Sequence, residues 1–552
     1  MTRAEKLLGS GIMLVFTLLC TANVFLLPPY EGFDETAHYS YIAILSDRGE
    51  IPDFRYTFLD ATVENDRRGL PRPYSSTPPF EVNGGITYGE FFNRVPAVER
   101  DGAAARLWRK AKEKVSFIPG QGVNWQGQHP PLYYLVMILP YRLARAWPPG
   151  MRLLFLRLFS VALACGSLVF WFKTVKILHA PDSRRLLLLA GLATIFFPSF
   201  FYDLARVGND SLAALLFAGS YYYFLSTYIN KQARLSDFAG LALTLGLGVL
   251  VKLFFVPILV GTIIFSLWFG VRISKLTLRP VLLRLSLLVG VPLLLAGWWF
   301  GFCYVRYGMM ITSVEAYMFQ HMESPPGDHL TSMEFVVAMF RAFGGFVTTF
   351  LWSGSWSWVR PPLYLFVCFV PLLALSSWRL MAVARGPSQM ARRQIMVAGL
   401  FLLVPLLLGF VFHMYLRVKL SGIGMGTGGY YLFFAWPVVG IWFGLSFDAQ
   451  GSFPLKVFAL SAFMLVSLFE LVGWWTLAQV YSGIVEKVGD IKTGIGYLTP
   501  TMGNVALVFD RLRALAFPEV AVILYLGAVV LRSALGVWII FFLPALGQNP
   551  QR

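Results

Sequence analysis

Three residues near the start carry side chains suited to proton transfer: Asp34, Glu35 and His38. They follow an apolar run at 8–27 that Pro28 and Pro29 stop, since proline has no N–H and clashes with a preceding helical turn. A carboxylate at the mouth of a membrane helix could take a proton from an acceptor hydroxyl at the lipid surface. It could equally be the charged flank that ends a span. If the segment from Asp34 is helical, Asp34 and His38 share a face and Glu35 is turned about 100° away, so the two acids do different jobs. An Asp–His pair could also join a metal site, but two ligands at one turn are a weak signal. No metal is assigned.

Four further groups could join them. Gln128-His129-Pro130-Pro131-Leu132-Tyr133-Tyr134 opens an apolar stretch, with prolines placed to start a helix and His129 free for a sugar, a headgroup or a structural bond. The turn from Asp203 through Arg206 to Asn209-Asp210 could cap the next helix or face a ligand. Lys252 stands between long apolar runs, where a lysine needs an anionic partner or must reach an interface. Arg206, Arg306, Arg341, Arg360 and Arg417 fall on the same side of the expected topology. Arginine suits a lipid phosphate by bidentate pairing. The aromatic clusters Trp298-Trp299-Phe300, Trp352 to Trp358 (with Trp356 central) and Tyr430-Tyr431 could stack on sugars or prenyl chains, or belong to interfacial belts.

The elements that must position these residues are membrane helices. Only 14% of the 552 residues are charged, against roughly 25% in soluble proteins. The net charge of +17 does not point to nucleic acid, because the cations sit in short clusters between apolar runs, as topology signals do. Cys20, Cys165, Cys303 and Cys368 all lie in apolar runs without metal-ligand spacing. Arg3 and Lys6 precede the first run like a signal sequence, but no small-residue cleavage site follows it, so it is expected to remain as the first span.

Twelve crossings are expected, with a range of 11–14: about 8–27, 153–172, 186–202, 211–229, 238–253, 255–271, 282–303, 361–378, 394–412, 430–447, 456–478 and 520–545. The stretches 131–147 and 335–351 contain arginines and are expected to be interfacial or re-entrant. Letting both cross would move the cations between 173 and 284 outside, against the positive-inside tendency. The expected protein is one integral membrane domain, all-α and polytopic. Its polar loops are on the outer side, at 28–152, 304–360 and 479–519.

In this order the motifs resemble the GT-C superfamily of membrane glycosyltransferases, of the protein-O-mannosyltransferase and aminoarabinose-transferase types. The Asp-Glu pair after the first span is Asp34-Glu35, and the His/Asn-Pro-Pro-Leu-Tyr-Tyr segment is His129 to Tyr134. Asn209-Asp210 is similar to the acidic outer turn, and Lys252 to the lysine after a glycine-rich span. A branch with an Asp-Glu-x-x-His start resembles it further, through Trp298-Trp299, Arg306-Tyr307-Gly308 and the tryptophan-rich segment. Where that branch has Gly-Arg-Tyr-Leu this chain has Gly429-Tyr430-Tyr431-Leu432, so the arginine is missing. The resemblance covers 8–445.

The resemblance implies a GT-C-like fold, a polyprenyl-phosphate-linked sugar donor and an inverting transfer with Asp34 as base. Glu35 would orient Asp34 or bind a sugar hydroxyl. Lys252 with Arg206, Arg306 and other outer arginines would steady the departing phosphate. His38, His129, Asn209, Asp210, Trp356 and Tyr430 would bind substrate. The acceptor would be a glycan, lipid or protein, and the place the outer face of the inner (cytoplasmic) membrane. A transporter or flippase of lipid-linked sugars, or a glycan ligase or polymerase with a diphosphate-linked donor, remain the alternatives.

Overall fold

A computed structural model describes residues 3–67, 69–72, 86–109, 116–177, 198–228, 234–273, 277–352, 354, 359–385, 390–424, 427–447, 453–485, 489–490 and 494–541. Helix α1 (Arg3–Leu26) runs to the Pro28-Pro29 turn. The chain then builds a cap of short elements: α2 (Glu35–Arg48), β1 (Phe58–Asp60), α3 (Ala61–Arg67), α4 (Tyr88–Asn93), α5 (Ala97–Trp108), β2 (Pro119–Val123) and α6 (Leu132–Leu143). Next come α7 (Pro149–Ile177), α8 (Pro198–Leu204), α9 (Asp210–Tyr228), α10 (Leu235–Val249), α11 (Phe255–Trp268) and α12 (Leu278–Tyr307). A second cap holds α13 (Val314–His321), α14 (Ser332–Leu351) and the two-residue β3 (Val359–Arg360). The remainder is α15 (Leu363–Arg385), α16 (Met390–Ser421), α17 (Trp436–Phe447), α18 (Phe453–Tyr481), the short strands β4 (Gly489–Asp490) and β5 (Gly494–Tyr497), α19 (Val505–Leu512) and α20 (Pro518–Phe541).

Eight of these helices are long and apolar enough to cross a membrane: α1, α7, α12, α14, α15, α16, α18 and α20. The chain is an all-α, multi-span membrane protein, with only scraps of sheet among the described residues. Large apolar side chains stay exposed along the spans, as at Leu282, Leu293, Leu294 and Val305 of α12, which suits helices bathed in lipid.

Contacts fix the helix directions. Thr17 meets Cys165 while Gly9 lies against Phe172, and Phe25 meets Phe517 while Gly11 lies against Leu535, so α7 and α20 run antiparallel to α1. Phe254 meets His413 while Trp268 meets Phe401, so α11 and α16 are antiparallel. The ends of α1, α10, α12, α16 and α18 and the starts of α7, α9, α11, α17 and α20 therefore gather at one end of the bundle, under the two caps.

Two expected spans take a different form. The 238–253 segment becomes the 15-residue α10, about 20 Å long at 1.5 Å per residue, and 430–447 becomes a 3-10 stretch, Gly429–Ala435, followed by the 12-residue α17. Both helices are short of the ~30 Å hydrocarbon core. In α10 the shortfall comes from the 250–254 turn, which carries Lys252 to the capped end. The 255–271 segment is helical throughout, since α11 runs on into a π-helical turn at Phe269–Ile273. Of the 186–202 segment only the part from Pro198 lies within the described residues, at α8.

Within 131–147 the helix α6 has 12 residues and an internal Pro140, too short to span. α14 has span length, with 20 residues, yet both its ends pack at the capped end. Phe335 meets Tyr415 near the end of α16, and Phe350 meets Phe433 and Trp436 at the start of α17. It lies across the bundle end with Met333, Val337, Phe340, Phe343 and Val347 exposed along one stripe.

Candidate active site

Asp34 stands one residue before α2, with a left-handed backbone (φ 53°), a conformation that aspartate tolerates better than most side chains. The expected helical pairing of Asp34 with His38 is therefore not formed. The Asp34 carbonyl accepts the Ala37 and His38 amides at 3.0 and 2.9 Å, and its carboxylate turns toward Trp125. The Trp125 indole N–H donates to Asp34 Oδ1 at 2.9 Å, leaving Oδ2 without a hydrogen bond among the described residues. Trp125 opens a single 3-10 turn set by the Asn124 side chain, which accepts the Gln126 amide at 3.1 Å. Burial raises the Asp34 pKa above the ordinary carboxylate value, and Arg206, the Trp125 hydrogen bond and Arg417 pull it partly back.

Glu35 is placed quite differently. It is fully buried, and Arg157 of α7 donates to its Oε1 at 2.8 Å and its Oε2 at 2.6 Å. The Val207 amide donates to Oε1 at 2.9 Å. Arg157 also donates to the Leu27 and Pro28 carbonyls at 2.7 and 2.9 Å, groups left over where α1 stops. Glu35 and Arg157 thus tie the end of α1, the start of α2 and the 206–209 turn into one knot. Asp34 is held by that knot, while Glu35 has its oxygens occupied within it.

The cations converge next. Buried Arg206 donates from Nη1 to the Phe33 carbonyl at 2.8 Å, from Nε to Asp203 at 2.9 Å and from Nη2 to Asp210 at 2.7 Å. Glycine makes room for it, since a Cβ on Gly208 would lie 2.2 Å from Arg206 Nη1. Asp210, the first residue of α9, also takes the Lys252 ammonium. The Asn209 side-chain Nδ2 donates to the Val251 carbonyl at 3.2 Å, fastening the lysine turn to α9. Lys252 lies 5.6 Å from the Phe434 ring and 5.8 Å from Tyr431.

The far wall is Arg417 of α16, paired with Glu315 of α13 at 2.5 Å. The Tyr430 and Tyr431 phenols sit beside Arg417, and Tyr430 stacks on Phe33 with ring centroids 4.4 Å apart. Arg417 thus lies beside the Gly429-Tyr430-Tyr431-Leu432 segment, where the resembling branch has an arginine within the motif itself. Burial would raise the Glu315 pKa, but Arg417 and His413 outweigh it and hold the group at about 2.

His38 is buried, its Nδ1 3.0 Å from the Tyr134 hydroxyl. His129 stacks near it at 6.3 Å. Burial and then Lys252 keep His129 neutral, with a pKa of about 4. Arg306 is turned to other partners than this cluster. It donates to Asp53 at 3.0 Å and to the Ile51 carbonyl at 3.2 Å, clamping the first cap to α12. Trp356 lies outside the described residues; its neighbour Trp352 is buried and donates to the Val359 carbonyl at 2.9 Å. Among the described residues, no group of three or more His, Cys, Asp or Glu gathers as a metal site.

Sequence reasoning missed Trp125, Glu315 and Arg157 as parts of this site. Trp125 lies near the conspicuous Gln128-His129 segment, but nothing local links it to Asp34. Arg157, inside an apolar run, was the one usable signal, because an arginine there needs an acid.

No family model matches the chain, and no curated protein does. Among solved structures, ArnT from Cupriavidus metallidurans bound to undecaprenyl phosphate is similar at 15% identity, over 76% of this chain and 69% of that one, with a TM-score of 0.34. The apo form of ArnT from the same organism is similar at 13% identity, over 87% of this chain and 76% of that one, with a TM-score of 0.37. Both likenesses are distant.

Proposed function

We propose that this chain is a GT-C-type membrane glycosyltransferase, moving a sugar from a polyprenyl-phosphate-linked donor to an acceptor hydroxyl with inversion. The observation that carries the reading is the half-buried Asp34, one oxygen fixed by Trp125 and the other open, within reach of Arg206 and Arg417, with Lys252 tied to Arg206 through their shared Asp210. The order of sequence motifs supports it as well. Asp34 Oδ2 takes the acceptor's proton as its oxygen attacks the anomeric carbon, and the sugar–phosphate bond breaks on the opposite face. The cations steady the charge that grows on the departing phosphate. Tyr430, Tyr431 and Phe33 form an aromatic wall for the sugar, with His38, neutral His129, Asn209 and Asp210 around it. Glu35 acts by positioning Asp34. The site end of the bundle is the outer, periplasmic side of the inner membrane, as the distribution of Lys and Arg favours.

The test is Asp34→Asn in membranes supplied with a polyprenyl-phosphate-linked sugar and extracted acceptor. Transfer is expected to fall by about 10³-fold or more while the protein stays inserted and folded. Transfer at the unmodified rate would remove Asp34 as the base. Transfer only from a diphosphate-linked oligosaccharide would favour the ligase reading.

A further inference from the structure

The three cations near Asp34 are all already paired. Arg206 is shared by Asp203 and Asp210, Lys252 is on Asp210, and Arg417 is on Glu315. With Asp34 included, the acids outnumber these cations, so an incoming phosphate finds no spare positive charge. One resident acid must yield its partner, and the geometry separates the candidates. Asp203 and Asp210 flank a single turn, are almost fully buried, and are held by Arg206 from three and four residues away. Asp210 is held a second time by Lys252.

Glu315 is different. It sits on α13, an eight-residue helix, in a segment that leaves α12 at Gly308 with φ 74°. That segment is held by Val314 N–H to the Gln128 side chain at 2.8 Å, by Tyr317 packed edge-on to Phe54 at 5.5 Å with Arg55 over its ring, by Arg417 to Glu315, and by the more exposed Lys419–Asp328 pair at 2.6 Å. The Arg417 side chain is 27% exposed, against 1% for Arg157. Its Nε–H is buried without a hydrogen-bond partner among the described residues, so the guanidinium holds an unused donor beside the one that binds Glu315. A phosphate, with more acceptor oxygens than a carboxylate, can use both.

We infer that Glu315 is a resident counter-anion that keeps Arg417 occupied until the donor's phosphate displaces it. The inference rests on the polyprenyl-phosphate reading of the site and deepens it. α13 moves away with its glutamate as the phosphate arrives and settles back when the lipid leaves. Arg417 is thereby kept ionised, ordered and closed to weaker anions before the donor binds. Glu315 acts through Arg417 and is a positioning and selectivity residue.

The experiment is titration of polyprenyl phosphate into the purified full-length protein in detergent, followed by tryptophan fluorescence. Glu315→Gln should bind about tenfold tighter than the unmodified protein, because nothing charged competes for Arg417. Arg417→Ala should bind about tenfold weaker or worse. The double variant should match Arg417→Ala, since Glu315 then has no cation to occupy. Thermal melting monitors folding. If Glu315→Gln melts too low to titrate, Glu315→Asp, whose shorter arm pairs less well, should bind roughly twofold to threefold tighter. Unchanged or weaker binding by the folded Glu315 variant overturns the inference, as does equal tightening in the Arg417→Ala background. If the unmodified protein does not bind polyprenyl phosphate, the proposed function fails instead. Binding without tightening sinks the counter-anion alone.

Discussion

Arg157 and Arg417 each hold a glutamate at the capped end of the bundle, at 2.6 and 2.5 Å. The first pair is 1% and 0% exposed, and Arg157 also takes two carbonyls from the end of α1. The second is 27% and 8% exposed, and its glutamate rides on a short helix between turns. A buried pair with its remaining hydrogen bonds filled cannot lose one member without stranding the other charge. A half-open pair can exchange its anion for another. The same two side-chain types therefore build a fixed frame on one side of Asp34 and an exchangeable wall on the other.

Breaking the frame should have the largest effect. Arg157→Ala or Glu35→Ala should cost about 3–5 kcal/mol of stability, read by denaturant unfolding in detergent, whereas Glu315→Gln should cost less, about 1–2 kcal/mol, because the partly exposed Arg417 it leaves behind can be hydrated. Equal losses at both pairs would erase the distinction. Gly208→Ala comes next. Its Cβ would fall 2.2 Å from Arg206 Nη1, pushing the guanidinium off the Phe33 carbonyl. Transfer should drop about tenfold with helix content unchanged by circular dichroism. Trp125→Phe removes the hydrogen bond to Asp34 Oδ1 and should lower kcat by about tenfold or less, with donor affinity retained. A large loss of affinity instead would put Trp125 in the donor pocket.

The smallest effects should appear in the pH profile. Asp34 must be ionised to act, so activity is lost as pH falls through its pKa, which burial has raised. Arg417 lowers that pKa and Glu315 raises it. Arg417→Ala should therefore move the acid limb of kcat/KM to higher pH, and Glu315→Gln to lower pH. Movement of both limbs in one direction would place Glu315 and Arg417 away from the base.

A comparison inside one dipeptide shows where local reading stops. Asp34 and Glu35 are adjacent acids, and helical periodicity put Asp34 on the His38 face. The left-handed cap at Asp34 undid that phase, and His38 went to Tyr134. Arg206 and Arg306 looked alike in sequence as outer arginines. One sits on a turn between α8 and α9 that folds under Phe33, and the other at the end of α12 beside Asp53. Tyr430 stands where the resembling branch has an arginine, and the cation beside it is Arg417 of a different helix, which nothing in the local sequence links to it.

The sequence by itself determined the helical, membrane-embedded character of the chain and the place of Asp34 at the mouth of the first span. Apolar run length and proline chemistry are local and survive any packing. It also determined that Lys252 stands between long apolar segments and must find an acid or reach an interface. Only the tertiary structure decided that this acid is Asp210, that Glu35 belongs to Arg157, and that Trp125 and Arg417 close around Asp34. Those pairings join residues separated by tens to hundreds of positions. Their partners are chosen by which helix ends meet, and no pattern along the chain encodes that distance.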